Sequence, residues 1–570
     1  MSEDLNKTDT DEKVDLLRQK EAEELAQVLA TRHQLPYIDL SRTLINTDAL
    51  RLVPETEARA ANLAAFRVSG KNLSVATNSP ARDETLGLIE DLKRKNFTVT
   101  VHLVSTESLE NAWAKYEEIS KSEKSQAGQI EISSDNITEF TQKFKNLDDI
   151  KQALDQETAT AQAQGGISGL LEIIIAGGLT TKASDIHIEP EQEDVRLRYR
   201  LDGVLEDIAS LPTKTYHQII SRLKLISGMK LNLKLGSQDG RFSIVLKDTE
   251  IEVRASVIPL AYGESVVLRL LNPESINVTF ESLGVEAKLF EIFNREIRKP
   301  NGLILLTGPT GSGKTTTLYS FLREINSTAT KIITIEDPIE YHLEGINQTQ
   351  VNVKQGYTFL SGLRSALRQD PDIIMVGEIR DAETAKIAVQ SSLTGHLVFS
   401  TLHTNNAQGA IPRLIDLGLN PKIITSALTL AIAQRLLRKL CPHCKQKRIM
   451  TADEKDLVGK ILDSIKEKRP DLIPEDWSGD QADPQIYQAV GCAECHQSGY
   501  NGREGIFEAI LMDDAVAQAT IVNPNEKEIK LAAKPQKILD MRQDGILKVI
   551  KGETTIEEVG RVIDLAEEII

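Results

Sequence analysis

Apolar positions along this chain change their period several times, and each change marks an element. Over 14–31, Leu16, Leu17, Ala22, Leu25, Ala26 and Leu29 recur at helical spacing. Short apolar runs at 65–68, 73–76 and 98–103 predict strands, and 83–95 and 106–116 predict helices. Together they describe a small α/β domain over 12–118 with no catalytic spacing, which is the signature of an adaptor module. The acidic, polar stretch 1–15 is expected to be disordered at its tip. Periodicity fades over 119–165, rich in Ser, Gln, Lys, Asp and Glu, so a flexible linker is expected there, with one candidate amphipathic helix at 137–154. A second α/β domain follows over 166–272. It reads as a helix at 170–176, alternating strands at 195–199 and 204–208, a helix at 216–228, and strands at 242–246, 251–257 and 265–271.

Past a short joint at 271–284 the alternation gives way to uninterrupted apolar runs. Leu303-Ile304-Leu305-Leu306 is one; 332–335, 373–376 and 397–399 are the others. Such runs suit strands buried on both faces of a parallel sheet. Polar groups follow the runs, so a ligand is expected at the C-terminal edge of this third domain, 285–570. The joint is short, which predicts that the second and third domains face each other across a cleft.

The first apolar run leads into Gly308-Pro309-Thr310-Gly311-Ser312-Gly313-Lys314-Thr315, and Thr316 opens a predicted helix to 325. Strand, glycine-rich turn and helix in this order make a phosphate-binding loop. The glycines let successive N–H groups point at phosphate oxygens, and the helix N-terminus adds its positive end. Lys314 is placed to reach the β- and γ-phosphates, and Thr315 to offer its hydroxyl to Mg²⁺.

Length and composition narrow the reading. At 570 residues the chain holds about three or four domains. No run approaches the ~20 apolar residues that span a bilayer, and the acidic start resembles no signal peptide, so a cytosolic protein is expected. A net charge of -17 argues against a non-specific nucleic-acid binder. The four cysteines form two Cys-x-x-Cys pairs, Cys441 with Cys444 and Cys492 with Cys495. In a reducing compartment that pattern points to one tetrahedral zinc in an insert over 438–500, with His443 or His496 as an alternative to one sulfur.

Taken together, Ser184-Asp185-Ile186-His187, Gln238-Asp239-Gly240-Arg241, the phosphate loop, the acidic box at 336–340, Gly377-Glu378-Ile379-Arg380, His403 and the cysteine pairs are similar to one family. From about residue 167 onward the chain resembles the ATPases of type II secretion and type IV pilus assembly. The resemblance implies an α/β multidomain protein whose RecA-like P-loop domain is preceded by a PAS-like α/β domain and a small N-terminal α/β domain. It implies a homo-hexamer that binds ATP and Mg²⁺ and moves pilin-like subunits of a pilus or pseudopilus. The implied partners are an inner-membrane platform protein and a cytoplasmic membrane-associated adaptor, at the inner face of the cytoplasmic membrane, with no nucleic acid.

By family position, Glu378 orients the attacking water, with Glu340 as rival base. Arg254 and Arg269 face ATP from the second domain; Arg364, Arg368 and Arg380 lie on the motor domain itself; His403 senses the γ-phosphate. The Asp usual at the metal position is absent, so metal contact is expected through waters. Ser237 stands where the family has a Pro before Gln238. Two other classes compete with this reading. One is a RecA-like nucleic-acid translocating ATPase, which the acidic charge disfavours. The other is a regulatory module whose first domain senses a nucleotide, for which the leading Arg-Leu-Gly motif is missing before Leu25. The first domain and the cysteine pairs favour an assembly motor over a retraction motor.

Overall fold

The computed structural model describes residues 22–566 apart from 41–42, 44, 46, 51, 70–71, 95–96, 125–128, 131–142, 145, 165–167, 234, 247–248, 272–277, 475–476 and 478–483. The acidic N-terminal tip, the first part of the 14–31 helix, the first part of the 137–154 helix and half of the 271–284 joint therefore lie outside the described residues. The chain divides into two units, 1–130 and 131–570.

In the first unit, β1 (Leu63–Ser69) pairs antiparallel with β2 (Asn72–Thr77), and β2 pairs parallel with β3 (Thr98–Leu103). Helices α1 (Asp83–Arg94) and α2 (Thr106–Lys124) accompany the sheet, so the three predicted strands and the helices at 83–95 and 106–116 are present. Trp113 of α2 is buried and donates its indole N–H to Leu63 O at 3.1 Å, fastening helix to sheet.

The second unit opens with a correction. The described part of the candidate helix at 137–154 belongs to a helix, α3 (Leu147–Gln164), that runs on through residues whose composition suggests linker, and it lies against α4 (Ser168–Thr180). Ile150 and Leu154, four residues apart on an otherwise polar helix, are both buried. Gly177 of α4 makes room for Ile150: a Cβ there would sit 3.0 Å from Ile150 Cγ2 and 2.8 Å from Tyr199 Oη. Two apolar residues among polar ones leave a weak periodic signal, and burial against α4 supplies the rest of the helix's stability.

Strands β4 (Asp185–Pro190), β5 (Val195–Leu201), β6 (Val204–Leu211), β7 (Gln238–Leu246), β8 (Thr249–Leu260) and β9 (Gly263–Leu271) follow, with α5 (Thr213–Ile226) between β6 and β7. Their order across the sheet is β7-β8-β9-β4-β5-β6, and all neighbours are antiparallel. One face is covered by helices, which is why these strands read as alternating.

The motor domain is built on β10 (Gly302–Thr307), β11 (Ile332–Glu336), β12 (Asn347–Gln350), β13 (Ile373–Val376), β14 (Leu397–Leu402), β15 (Leu428–Leu440) and β16 (Tyr500–Leu511), in the order β12-β11-β13-β14-β10-β15-β16. All pairs are parallel except the last, β15 with β16. Leu303 and Leu305 face one apolar cluster while Ile304 and Leu306 face another, so β10 is buried on both sides. That double burial explains its unbroken apolar run. Strand β15 was not foreseen, because Leu, Ala and Arg are helix formers and the pairing with β10 and β16 overrides them. Helix α6 (Lys314–Ile325) follows the phosphate loop, and α7 (Phe359–Ala366) precedes β13.

Candidate active site and metal centre

Residues Gly308 to Thr316 run from the end of β10 into the first turn of α6, all on the predicted edge of the sheet. Gly308 has φ 148°, and a Cβ there would meet Ser312 Oγ at 2.6 Å and Gln434 O at 2.7 Å, so only glycine opens this turn. Lys314 Nζ donates to Gly308 O at 2.8 Å and Pro309 O at 3.0 Å, folding over the loop it follows. Burial, and then the field of Arg435, pull its pKa below the ordinary lysine value, while Glu378 pulls it back up. Thr310 and Thr315 are exposed and Thr316 is half-buried.

The wall beside the loop comes from β13 and β14. Ser400 Oγ donates to Val376 O at 2.7 Å and Thr401 Oγ1 to Gly377 O at 2.8 Å, which pins the chain just before Glu378. Glu378 then meets Arg380 through Oε1, and His403 Nε2 lies 3.1 Å from its Oε2. Burial works against a charge on Glu378, but the bonds from Arg380 and His403 outweigh it, and its carboxyl is held below its ordinary value. Three of the residues singled out in sequence are thus in direct contact.

The acidic box divides its labour. Glu336 is buried and accepts from Tyr319, from Thr334 and from Gln348 Nε2 at 3.1 Å; burial raises its pKa, so it is a structural carboxyl. Glu340 instead reaches the second domain. Arg254 Nη1 lies 3.0 Å from Glu340 Oε2, and its Nη2 donates to Ile339 O. The predicted cleft is therefore bridged by the arginine that family position assigned to it.

Arg269 behaves differently. Its Nε donates to Asp185 Oδ1 at 3.0 Å, within its own domain, and Arg200 approaches the other oxygen of that carboxylate at 3.3 Å. The structure does not bring Arg269 to the motor domain. Its neighbour in register, Arg254, is the one that crosses. Arg364 and Arg368 are exposed on and just after α7; Arg368 Nη1 donates to Arg364 O at 3.0 Å, and neither touches the loop.

A family model described as type II/IV secretion system protein matches residues 160–561, and one for the MshEN domain matches 33–123. The chain belongs to the type II/IV secretion protein family. The type II secretion system protein E of Aeromonas hydrophila is 43% identical over 438 residues, covering 77% of this chain and 83% of that protein. The type IV pilus assembly ATPase PilB of Myxococcus xanthus is 36% identical over 542 residues, covering 95% and 91%. The type II secretion system ATPase E of Vibrio cholerae is 43% identical over 411 residues, covering 72% and 77%. As a member of this family the chain is an ATPase, and it uses ATP and Mg²⁺. Among the described residues no helix is long and apolar enough to cross a membrane.

The four cysteines complete the picture. Their Sγ atoms all lie within 4.8 Å of one another, with Cys441–Cys492 at 3.8 Å, Cys444–Cys495 at 3.7 Å and Cys492–Cys495 at 3.6 Å. Zn–S bonds of about 2.3 Å in a tetrahedron put sulfurs about 3.8 Å apart, so the donor set fits zinc. Among the described residues the cluster contains the four cysteines and no histidine. Two N–H groups, of Cys492 and Gly499, donate to Cys495 Sγ at 3.2 Å and suit a thiolate. The long spacing between the pairs has a simple origin. β15 pairs with β16 up to Leu440 opposite Tyr500, and the cysteines sit just beyond, at the mouth of an insert that carries a helix (Ala452–Lys468) and a hairpin (Gln446–Ile449 with Gln485–Gln488).

Proposed function

We propose that this ATPase is the motor that drives assembly of type IV pilus or type II secretion pseudopilus subunits, working as a homo-hexamer on an inner-membrane platform protein and a membrane-associated adaptor at the cytoplasmic face. The names of its relatives support the cargo, and one observation carries the mechanics: Arg254 of the second domain is bonded to Glu340 and Ile339 of the motor domain. The domains divide as 12–118, 166–272 and 285–570, with α3 forming part of the body that precedes β4.

Each residue has a separable duty. The loop N–H groups and Lys314 take the phosphates, so Lys314 must leave the two carbonyls it now caps. Thr315 holds Mg²⁺, which supplies charge neutralisation when bound. Glu378, kept ionised by Arg380 and His403, orients water; His403 links that carboxylate to the arriving γ-phosphate. Arg254 exchanges Glu340 for the γ-phosphate, and this exchange closes the cleft on ATP and loosens it after hydrolysis. Closure in one subunit displaces its neighbour in the ring.

The test is steady-state ATPase measured beside nucleotide binding and mass by light scattering. Arg254→Ala should keep ATP affinity within several-fold and the assembly intact, yet cut turnover by at least ~10²-fold, as loss of a transition-state Arg does in related chemistry. Normal turnover in that variant would make the second domain a passive spacer and remove the proposed coupling.

A further inference from the structure

Strand β15 carries two polar side chains beyond the apolar stretch that lies beside β10. Gln434 faces α6, where Thr317 Oγ1 donates to its Oε1 at 2.8 Å. Arg435 points away from α6 and is only 9% exposed. Among the described residues it forms no ion pair. Its hydrogen bonds go to backbone carbonyls: Nη1 to Gln434 O at 3.1 Å and Nη2 to Asn405 O at 2.8 Å. Nη1 also stands 3.0 Å from where a Cβ on Gly308 would be. One guanidinium therefore stands beside the first glycine of the phosphate loop and is bonded to the backbone two residues past His403.

Glu508 acts on its charge without forming an ion pair, and burial outweighs that attraction; a buried cation so weakly paired is costly, and two carbonyls could be satisfied by neutral donors. What the charge adds is a field on the loop. Lys314 feels it, since Arg435 is the leading charged neighbour pulling its pKa down. Two cations thus share one turn, and a polyphosphate is the ligand whose arrival relieves their repulsion.

We propose that Arg435 is a positioning residue of the nucleotide site, adding positive charge behind the phosphate loop from an anchor on the segment that carries His403. The inference rests on the nucleotide site proposed above. Its two parts separate by substitution: Arg435→Lys keeps the charge and loses the fork, whereas Arg435→Gln loses the charge.

The experiment uses the full chain, with ADP binding by calorimetry and steady-state ATPase, and melting temperature and zinc content as folding controls. Arg435→Gln should weaken ADP binding about tenfold or more. Arg435→Lys should bind ADP within about threefold of wild type while kcat falls about tenfold, because the segment that carries His403 loses its bond from the guanidinium. Wild-type binding and turnover in folded Arg435→Gln would overturn the proposal. So would equal losses of binding and turnover in both variants, which leave only a packing role. If Arg435→Gln does not fold, unchanged binding and turnover in Arg435→Lys would overturn it. Lys314→Ala is measured alongside: if it too binds ADP normally, the nucleotide site itself is misplaced, and the fault does not lie with Arg435.

Discussion

The nucleotide edge of the motor sheet and the cysteine centre hold their polar groups in opposite ways. At the edge, each group rests on a partner that it can give up: Lys314 on two carbonyls of its own loop, Arg254 on Glu340, Glu378 on Arg380 and His403. His403 and Arg380 are more than half exposed. At the cysteine centre the four sulfurs already stand at tetrahedral spacing, and Cys441 and Cys495 are buried. A site that must exchange partners in every cycle is half-open and provisionally paired. A site that must only hold is closed and has no second partner to turn to.

The contrast can be broken most severely at the loop. Lys314→Ala should abolish ATP turnover and weaken nucleotide binding, whereas Glu378→Gln should bind ATP and lose turnover, as their positioning and water-orienting duties require. Normal hydrolysis in Glu378→Gln together with its loss in Glu340→Gln would transfer the role of base to Glu340. A smaller effect is expected on the second domain. Arg269→Ala should lower turnover less than Arg254→Ala does, because its guanidinium is engaged with Asp185, and equal losses would show that Arg269 swings across when ATP binds.

At the closed site, metal analysis should find about one zinc per chain. Cys441→Ser should lose it and lower the melting temperature, while ADP binding at the distant loop stays within about twofold. Retained zinc in that variant would require another ligand set.

The smallest effect concerns Glu508, buried on β16, where it accepts from Ala407 N at 2.7 Å. Burial raises its pKa from 4.5 to about 7. A folded-state pKa above the unfolded one means that this group's contribution is present below pH 4.5 and is lost as pH rises toward about 7. The melting temperature of Glu508→Gln relative to wild type should therefore increase between pH 5 and pH 8, by thermal scans across that window. A constant difference would mean that Glu508 does not titrate there.

Legibility followed the range of the interactions. The phosphate loop is a contiguous local geometry, with glycines where the turn demands them and β10 before it, and it was readable residue by residue. The strands of the motor sheet were readable because burial on both faces leaves unbroken apolar runs. Helix α3 was readable only as far as 154; its continuation to Gln164 has a polar, linker-like composition, and Ile150 acquires its place against Gly177. Strand β15 was missed for the same kind of reason, and Gln434 and Arg435 were missed with it. One signal was available: a Gln-Arg pair directly after Ala431-Ile432-Ala433 interrupts an apolar run.

By itself, then, the sequence determined the chemistry: a loop for phosphates, carboxylates at strand ends, four thiols in two pairs, and the family to which these belong. Those depend on residue type and short spacing, which backbone geometry converts directly into local shape. Tertiary structure alone decided which of two similar arginines crosses the cleft, which acid of the box is buried, and which cation stands behind the loop. Arg254 and Arg269 lie opposite each other on adjacent strands, so no local pattern separates them. The choice is made by whichever carboxylate the folded chain places within reach, Glu340 for one and Asp185 for the other.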